Sequence, residues 1–355
     1  STYLRAALRR LCRQRAETDS DPQEIATGVR SLIGECASRL EHAAETRRVV
    51  LIIDALNQMD AADNAHLLQW LPQEFPDNVR VIVSSLEHAT LDALRERGEL
   101  IREVALRSLS AVDAEAIVRG VLHRYRKQFD REQLQLLLRK PAAGIPLYLL
   151  VALEELRTLG SYEEITGRVR ELPGSVQELF QWILTTRLSC DPGFRDKEGH
   201  LIGADLVRRF VSYLGVSRHG LSESELAGLI APGSRDTDPS LRDDDRQGNV
   251  AALRRLLSPY LMNRGELLDF YQLREAVESA YLSQDEVVAE THRELASYFD
   301  GLLNPSGAAR WSGESVRALS ELPFHQTRAR DWTSLTATLC DLKFIKAKCT
   351  SKMTY

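Results

Sequence analysis

The residues best placed to do chemistry lie in the segment RRVVLIIDALNQMD, where Asp54 ends the apolar, β-branched run VVLII. An acid at the carboxyl end of a buried parallel strand stands where ligands bind in open α/β sheets. A carboxylate there can orient Mg²⁺ beside phosphate groups, usually through water, because Mg²⁺ gives up its hydration shell reluctantly. The plainer reading is that Asp54 merely ends the strand and caps the next turn. A second run, VRVIVSS, finishes in Ser84 and Ser85 and would set two hydroxyls at the same sheet edge, one strand along. Further on, Ala143-Gly144-Ile145-Pro146-Leu147 opens a helix with a glycine turn and a proline near the first helical position.

These residues need a frame to hold them. Val49 to Ala55 is too short for a typical helix and is a continuous apolar run ending in an acid, so it is predicted to be a strand buried on both faces of a parallel sheet. Val79 to Ser85 is predicted to be its neighbour and Leu100 to Leu106 a third strand. A helix over about Ala62 to Leu71, stopped by Pro72, would complete a right-handed crossover unit. Amphipathic spacing begins earlier, at Leu4, Ala7, Leu8 and Leu11 and again at Ile25, Val29, Leu32 and Ile33.

After Leu109 the pattern turns helical. Ala111 to Phe129, Arg131 to Arg139, Leu147 to Thr158 and Ser175 to Leu188 carry helical periodicity. A winged-helix-like series follows: a helix over Gly203 to Leu214, the turn GVSRHG, and a helix over Ser222 to Ile230 with Ser222 as N-cap and Glu225 at the third position. After a polar loop comes a helix over Asn249 to Leu257, and then two apolar runs about NRGE read as the wing hairpin. From Leu273 onward the chain is helical again, with a break near NPSGAAR.

Composition excludes several classes. The 355 residues are 43% hydrophobic and 27% charged, enough to build packed cores and, at about 150 residues per domain, two or three domains. A net charge of −5 supplies no global basic field for nucleic acid. Five scattered cysteines without C-x-x-C spacing argue against a disulfide framework or a zinc site and for a reducing compartment. No apolar stretch is long enough to span a membrane and the start is not a signal peptide, so a cytoplasmic chain is expected. The lack of an initial Met and the abrupt end KMTY suggest a piece of a longer protein. The Asp243 to Asp245 run reads as a solvated loop. His292 and His325 read as packing or capping residues, and Trp70, Trp182, Trp311 and Trp332 as core. Arg254 and Arg255 could meet phosphates of DNA, but the acidic loop before them would repel a phosphate backbone. Arg187, near a helix end, could reach a phosphate.

Taken together, the segments resemble the STAND class of P-loop NTPases, in particular the NACHT-type ATPases that precede WD or tetratricopeptide repeats. IIDALNQ is similar to that group's Walker B segment, VRVIVSS to its sensor strand, and AAGIPLYLLVALEEL to its Gly-x-Pro motif. GVSRHGLSESELAGLI, REAVESAYL and HRELASYF continue the match in order across nearly the whole chain. The resemblance implies an α/β P-loop NTPase core with an incomplete parallel sheet over 1–109. A helical lid over 110–172, a winged-helix domain over 173–285 and a helical linker over 286–355 would follow. It implies ATP or ADP and Mg²⁺ as ligands, with Asp54 helping to hold the metal, Ser84 sensing the γ-phosphate and Pro146 on adenine; Ser85 and Gly144 complete the nucleotide-facing set. The active form would be a ring-like self-assembly controlling a protein effector, with neither nucleic acid nor membrane as partner.

The departures from that pattern shape the expected activity. A Walker A loop would supply a phosphate cradle and a lysine, yet none of the 20 glycines is followed by Lys. Where many NACHT proteins carry acids after the Walker B Asp, this chain has Asn57 and Gln58. Neutral amides can position a water but cannot take its proton at neutral pH, so slow hydrolysis or nucleotide holding is expected. Near LLDFYQLREAV, where relatives often carry a phosphate-touching histidine, Tyr271 and Gln272 stand and no such role is assigned. The rival expectation is a nucleotide-free interaction scaffold on a degenerate NTPase fold. A third, a winged-helix transcription regulator, would require salt-sensitive DNA binding.

Overall fold

The computed structural model describes residues 29–58, 66–98, 101–196, 198–230, 244–270, 272–305, 310–311 and 315–351, with backbone alone for 29–32, 58 and 244–247. The segments about Leu4 to Leu11 and Ile25, most of the polar loop before Asn249, and Tyr271 lie outside the described residues. The chain divides into two compact units, Ser1–Arg107 and Ser108–Tyr355.

In the first unit, helix α1 (Val29–Thr46) leads into β1 (Val49–Ile53), a 3₁₀ turn (Leu56–Gln58), β2 (Val79–Val83) and α2 (Ala89–Arg95). β1 and β2 pair in parallel, with Ile53 opposite Val83. Both strands form as expected, but not buried on both faces. Leu51 and Val79 are buried, whereas Val50, Ile52 and Ile82 are 52%, 70% and 56% exposed. Side chains alternate across a strand, so a single covering layer buries only every second residue. The core on the covered side is Leu56, Leu68, Trp70, Leu71 and Leu94, with Ile53 and Val83 packed against it.

Two expected elements give way to that core. Residues 66–71 form turns instead of the end of a helix, while the rest of the predicted helix, 59–65, lies outside the described residues. Leu68 takes a left-handed φ of 52° and is fully buried. The Arg97 guanidinium donates to the carbonyls of Leu68, Leu71 and Pro72 at 2.9, 2.9 and 2.7 Å, satisfying groups a helix would have paired internally. The third strand is likewise absent from residues 101–106: Ile101 touches the core, but Val104 and Leu106 are 72% and 95% exposed. Apolar content alone did not supply a pairing edge.

The second unit is helical, with one small antiparallel sheet. Helices α3 (Ala111–Arg124), α4 (Arg131–Leu138), α5 (Pro146–Leu156), α6 (Tyr162–Glu171) and α7 (Val176–Trp182) come first, and α7 runs on into a π-helical turn, Ile183–Leu188. All of these but α5, which starts on Pro146, are capped by a side chain, with full capping boxes at Asp130/Gln133 and Ser161/Glu164. Then come α8 (Gly203–Val216), β3 (Leu221–Ser222), α9 (Glu223–Ile230), α10 (Asp244–Leu257) and the hairpin β4 (Leu261–Arg264) and β5 (Leu267–Phe270), in sheet order β3-β5-β4. Ser222 and Glu225 cap α9 as their spacing predicts: Glu225 N–H donates to Ser222 Oγ at 3.1 Å and Ser222 N–H to Glu225 Oε2 at 2.8 Å. Gly220, at φ +86°, lets β3 meet β5; a Cβ there would lie 2.1 Å from the Leu268 carbonyl oxygen.

Helices α11 (Arg274–Tyr281), α12 (Asp285–Leu303), α13 (Ala318–Arg328), α14 (Trp332–Leu339) and α15 (Leu342–Thr350) complete the described chain. One contiguous core runs through Leu149, Phe210, Leu226, Leu253, Phe270 and Phe299. Trp70 and Trp311 are buried and Trp182 is half-buried, but Trp332 is 59% exposed, against the expectation for all four. It is the first residue of a two-turn helix, and its ring stays largely in solvent. Among the described residues no helix is long and apolar enough to cross a membrane.

Candidate functional site

The parallel register that sets Ile53 opposite Val83 brings Asp54 and Ser84 out together at the carboxyl ends of β1 and β2. Ser84 Oγ donates to Asp54 Oδ1 and accepts from the Ala55 amide at 2.8 Å. The backbones are tied as well: Ser84 N–H reaches Ile53 O at 3.1 Å and Leu56 N–H reaches Ser84 O at 2.9 Å. Ala55 sits at φ 56°, so the chain turns sharply after Asp54 and enters the 3₁₀ turn that carries Asn57. Asn57 Oδ1 accepts from the Leu86 amide at 3.1 Å, linking the loop after β1 to the loop after β2. Gln58 closes the turn, and its side chain lies outside the described residues.

Ser85 points into its own loop, with Oγ 2.9 Å from Thr90 Oγ1 and 2.9 Å from Leu86 O. Thr90 is fully buried at the start of α2, and the rings of His66 and His88 meet edge to face with centroids 4.7 Å apart. Sequence reading passed over Thr90, His66 and His88. The signal for the first was a second hydroxyl five residues after Ser85, across a helix start.

Asp54 and Ser84 are exposed and Asn57 is half-buried, so the site opens to solvent. One carboxylate, one hydroxyl and one amide offer hard oxygen atoms. That set suits a Mg²⁺ that keeps most of its waters and gives no soft ligand for zinc or copper. Asp54 Oδ2 has no hydrogen-bond partner among the described residues and is the atom such a metal, or one of its waters, would meet.

Gly144 and Pro146 belong to the second unit. Gly144 O accepts from Leu109 N–H at 2.8 Å, and a Cβ on Gly144 would approach Ser108 Cβ to 3.2 Å, so the glycine allows close packing of that turn. Pro146 occupies the first turn of α5 and is exposed.

Arg187 does not face outward as a phosphate ligand would. Its Nε lies 2.6 Å from Glu155 Oε2 on α5, and Tyr260 Oη donates to the other carboxylate oxygen at 3.1 Å. Burial pushes the Glu155 carboxyl above its ordinary range, and the Arg187 charge opposes that rise. His292 and His325 are core residues, with their Nδ1 atoms 2.8 Å apart. Arg254 Nε lies 3.3 Å from Glu223 Oε2, so one of the two arginines considered for DNA is engaged within the fold. The surface trio of half-buried Asp196 and exposed Glu198 and His200 lies close enough to share a cation, but Asp196 already accepts from His200 N–H at 2.8 Å and lies 3.1 Å from its Nδ1.

No family model matches the sequence. The chain is 26% identical over 345 residues to human NACHT and WD repeat domain-containing protein 2, covering 90% of this chain and 18% of the relative. The chain is similar to NACHT and WD repeat proteins. It is also 27% identical over 303 residues to a TPR repeat-containing protein of Dictyostelium discoideum, covering 83% of this chain and 16% of that protein. Mouse telomerase protein component 1 is 24% identical over 367 residues, covering 96% of this chain and 14% of its own length. The chain thus spans less than a fifth of each of these relatives.

Proposed function

We propose that this chain is the regulatory core of a nucleotide-gated signalling switch of the STAND class, working inside a longer, repeat-bearing cytoplasmic protein. The observation that carries the reading is the joint exit of Asp54 and Ser84 at the carboxyl ends of paired parallel strands, with Asn57 in the same loop. Relatives named for NACHT domains and for WD or TPR repeats support it. In this reading Asp54 helps hold hydrated Mg²⁺, Asn57 and Gln58 position water, Ser84 and Ser85 lie at the phosphate end, and Gly144 shapes the turn that presents Pro146 to adenine. When bound, Mg²⁺ would neutralise charge on the β- and γ-phosphates. The chain's own residues then set the pace: the amides next to Asp54 orient a water without accepting its proton, which favours holding nucleotide over turning it over.

The series α8, α9, α10 and the β4–β5 hairpin has the order of a winged helix, and in this reading it acts as a lid and not as a DNA reader. ADP would favour a closed arrangement and ATP an open one that self-associates into a ring, a two-state equilibrium biased by differential affinity. The phosphate cradle would come from sequence outside these 355 residues, since no Walker A pattern occurs within them.

The test is mass spectrometry of nucleotide released on denaturing the purified full-length protein, followed by thermal shift with Mg-ADP and Mg-ATP for wild type and Asp54→Ala. Stoichiometric ADP or ATP, with the Mg²⁺-dependent shift lost in Asp54→Ala, is expected. No released nucleotide and no shift in the wild type would turn the conclusion to an interaction scaffold, and an unchanged Asp54→Ala would remove Asp54 from the site.

A further inference from the structure

Ser84 stands where a residue that reads the γ-phosphate is expected, yet its hydrogen bonds describe a different task. A serine hydroxyl has one proton to give. Ser84 gives it to Asp54 Oδ1 and takes the Ala55 amide proton at 2.8 Å in return. A terminal phosphate presents acceptor oxygens, so reading it requires a donor, and Ser84's donor is engaged. The two bonds instead bracket Asp54, one on its carboxylate and one on the next amide. The Leu56 amide bonded to Ser84 O at 2.9 Å fixes the same turn from the backbone.

Asn57 is the complement. Its Oδ1 accepts from the Leu86 amide at 3.1 Å, a bond that can only go to the oxygen and so settles which way the side-chain amide is turned. The two Nδ2 protons are left without a protein partner among the described residues. Ser85 is also engaged, its Oγ lying 2.9 Å from both Leu86 O and Thr90 Oγ1. Of the four polar side chains described along this edge, Asn57 therefore keeps donors for a ligand while the two serines do not.

We infer that Ser84 is a positioning residue that aims the Asp54 carboxylate at the metal, and that the Asn57 amide is the donor that distinguishes a terminal phosphate. The inference rests on the nucleotide reading above and reassigns roles within that site. A positioning residue for the metal acts alike on nucleoside di- and triphosphate, whereas a terminal-phosphate donor acts on the triphosphate alone.

The experiment is calorimetric titration of nucleotide-depleted full-length protein with ADP and with a non-hydrolysable ATP analogue, each across a Mg²⁺ series. Wild type, Ser84→Ala, Ser84→Thr and Asn57→Ala are compared, with thermal melts confirming that each variant is folded. Ser84→Ala should raise the Mg²⁺ concentration needed for half-maximal binding about tenfold for both nucleotides, the scale of one lost hydrogen bond to a charged group, and Ser84→Thr should restore it. Asn57→Ala should lower the ratio of analogue to ADP affinity about tenfold without moving the Mg²⁺ requirement. If Ser84→Ala weakened the analogue alone, Ser84 would be the phosphate reader and the inference would be overturned. No change for either nucleotide would overturn it as well. Failure of the wild type to bind either nucleotide would instead bring down the nucleotide reading beneath it.

Discussion

Asp54 and Glu155 each accept a hydrogen bond from a hydroxyl group, and they are held in opposite ways. Asp54 lies at an exposed strand end, bonded to Ser84 and carrying one oxygen without a partner among the described residues. The Glu155 side chain is 5% exposed, with one oxygen on Arg187 and the other on Tyr260. The difference separates a group available for ligand exchange from one committed to the fold. In the interior, losing water is costly for a charge, so every lone pair must find a partner and none is left for a ligand. At the strand end, solvent lowers that cost and an oxygen can stay open.

The comparison breaks most sharply at Arg187. Arg187→Met leaves Glu155 buried without its cation and should destabilise the protein by about 3–5 kcal/mol, the usual penalty for removing one partner of a buried pair. Glu155→Gln added to Arg187→Met should recover much of that loss, because the buried charge is then gone. Asp54→Ala should cost less than about 1 kcal/mol, as for an exposed residue with one side-chain hydrogen bond. Urea unfolding followed by circular dichroism measures all three. An Arg187→Met effect no larger than that of Asp54→Ala would erase the distinction between the two sites.

A second buried network sharpens the contrast through pH. His292 and His325 face each other, Glu321 Oε2 lies 3.7 Å from His325 Nε2, and Arg317 and Arg328 supply positive charge nearby. Burial is the leading cause that lowers both histidines, from an ordinary 6.5 to about 4 for His292 and about 3 for His325. Arg328 adds to the first effect, and His292 and Arg317 to the second. The unfolded chain therefore binds these protons first. Their stabilisation is complete above about pH 6.5 and is lost as the pH falls toward the folded values. By about pH 5 the loss should reach roughly 2 kcal/mol per histidine. Glu321, raised chiefly by burial, works in the opposite sense because its folded form takes up a proton earlier. The contribution of the pair is thus the difference in slope between wild type and a His292→Leu/His325→Leu double variant, from unfolding curves at about pH 7 and about pH 5. Equal slopes would mean that the buried imidazoles carry no such linkage.

The same division governs what the sequence made legible. Most helices after Leu109 are legible because 3.6-residue periodicity and side-chain caps agree, as at Asp130/Gln133 and Ser222/Glu225, although α6 with its Ser161/Glu164 box is not among the segments read as helix. Strands β1 and β2 were legible from their β-branched runs, but which faces are covered depends on neighbouring layers. Val50 and Ile52 look no different in sequence from Leu51, yet only Leu51 is buried. Residues 101–106 form no strand for the same reason: composition carries no information on whether a pairing edge exists. At the candidate site, Asp54 and Ser84 were nominated separately by type and position. Their hydrogen bond joins residues 30 apart through strand register and was invisible before the fold. Arg187 was open to a phosphate role until Glu155, on another helix, was seen to hold it.

The smallest effect concerns the turn that aims Asp54. Ala55 holds φ 56°, in the left-handed region that disfavours side chains bearing a Cβ. Ala55→Gly removes a local strain of about 1–2 kcal/mol but adds about 0.4–1 kcal/mol of unfolded-state entropy. The net expectation is a gain of about 0.5 kcal/mol, visible as a slightly higher denaturation midpoint. That the native chain keeps alanine at a strained position beside an exposed carboxylate fits a turn whose geometry matters more than its stability. Ala55→Val should move the midpoint the other way by more than 1 kcal/mol or so, since a β-branched residue tolerates this φ least. If glycine and valine left the midpoint alike, the left-handed turn would be no constraint. The Ser84 bracket alone would then account for where Asp54 points.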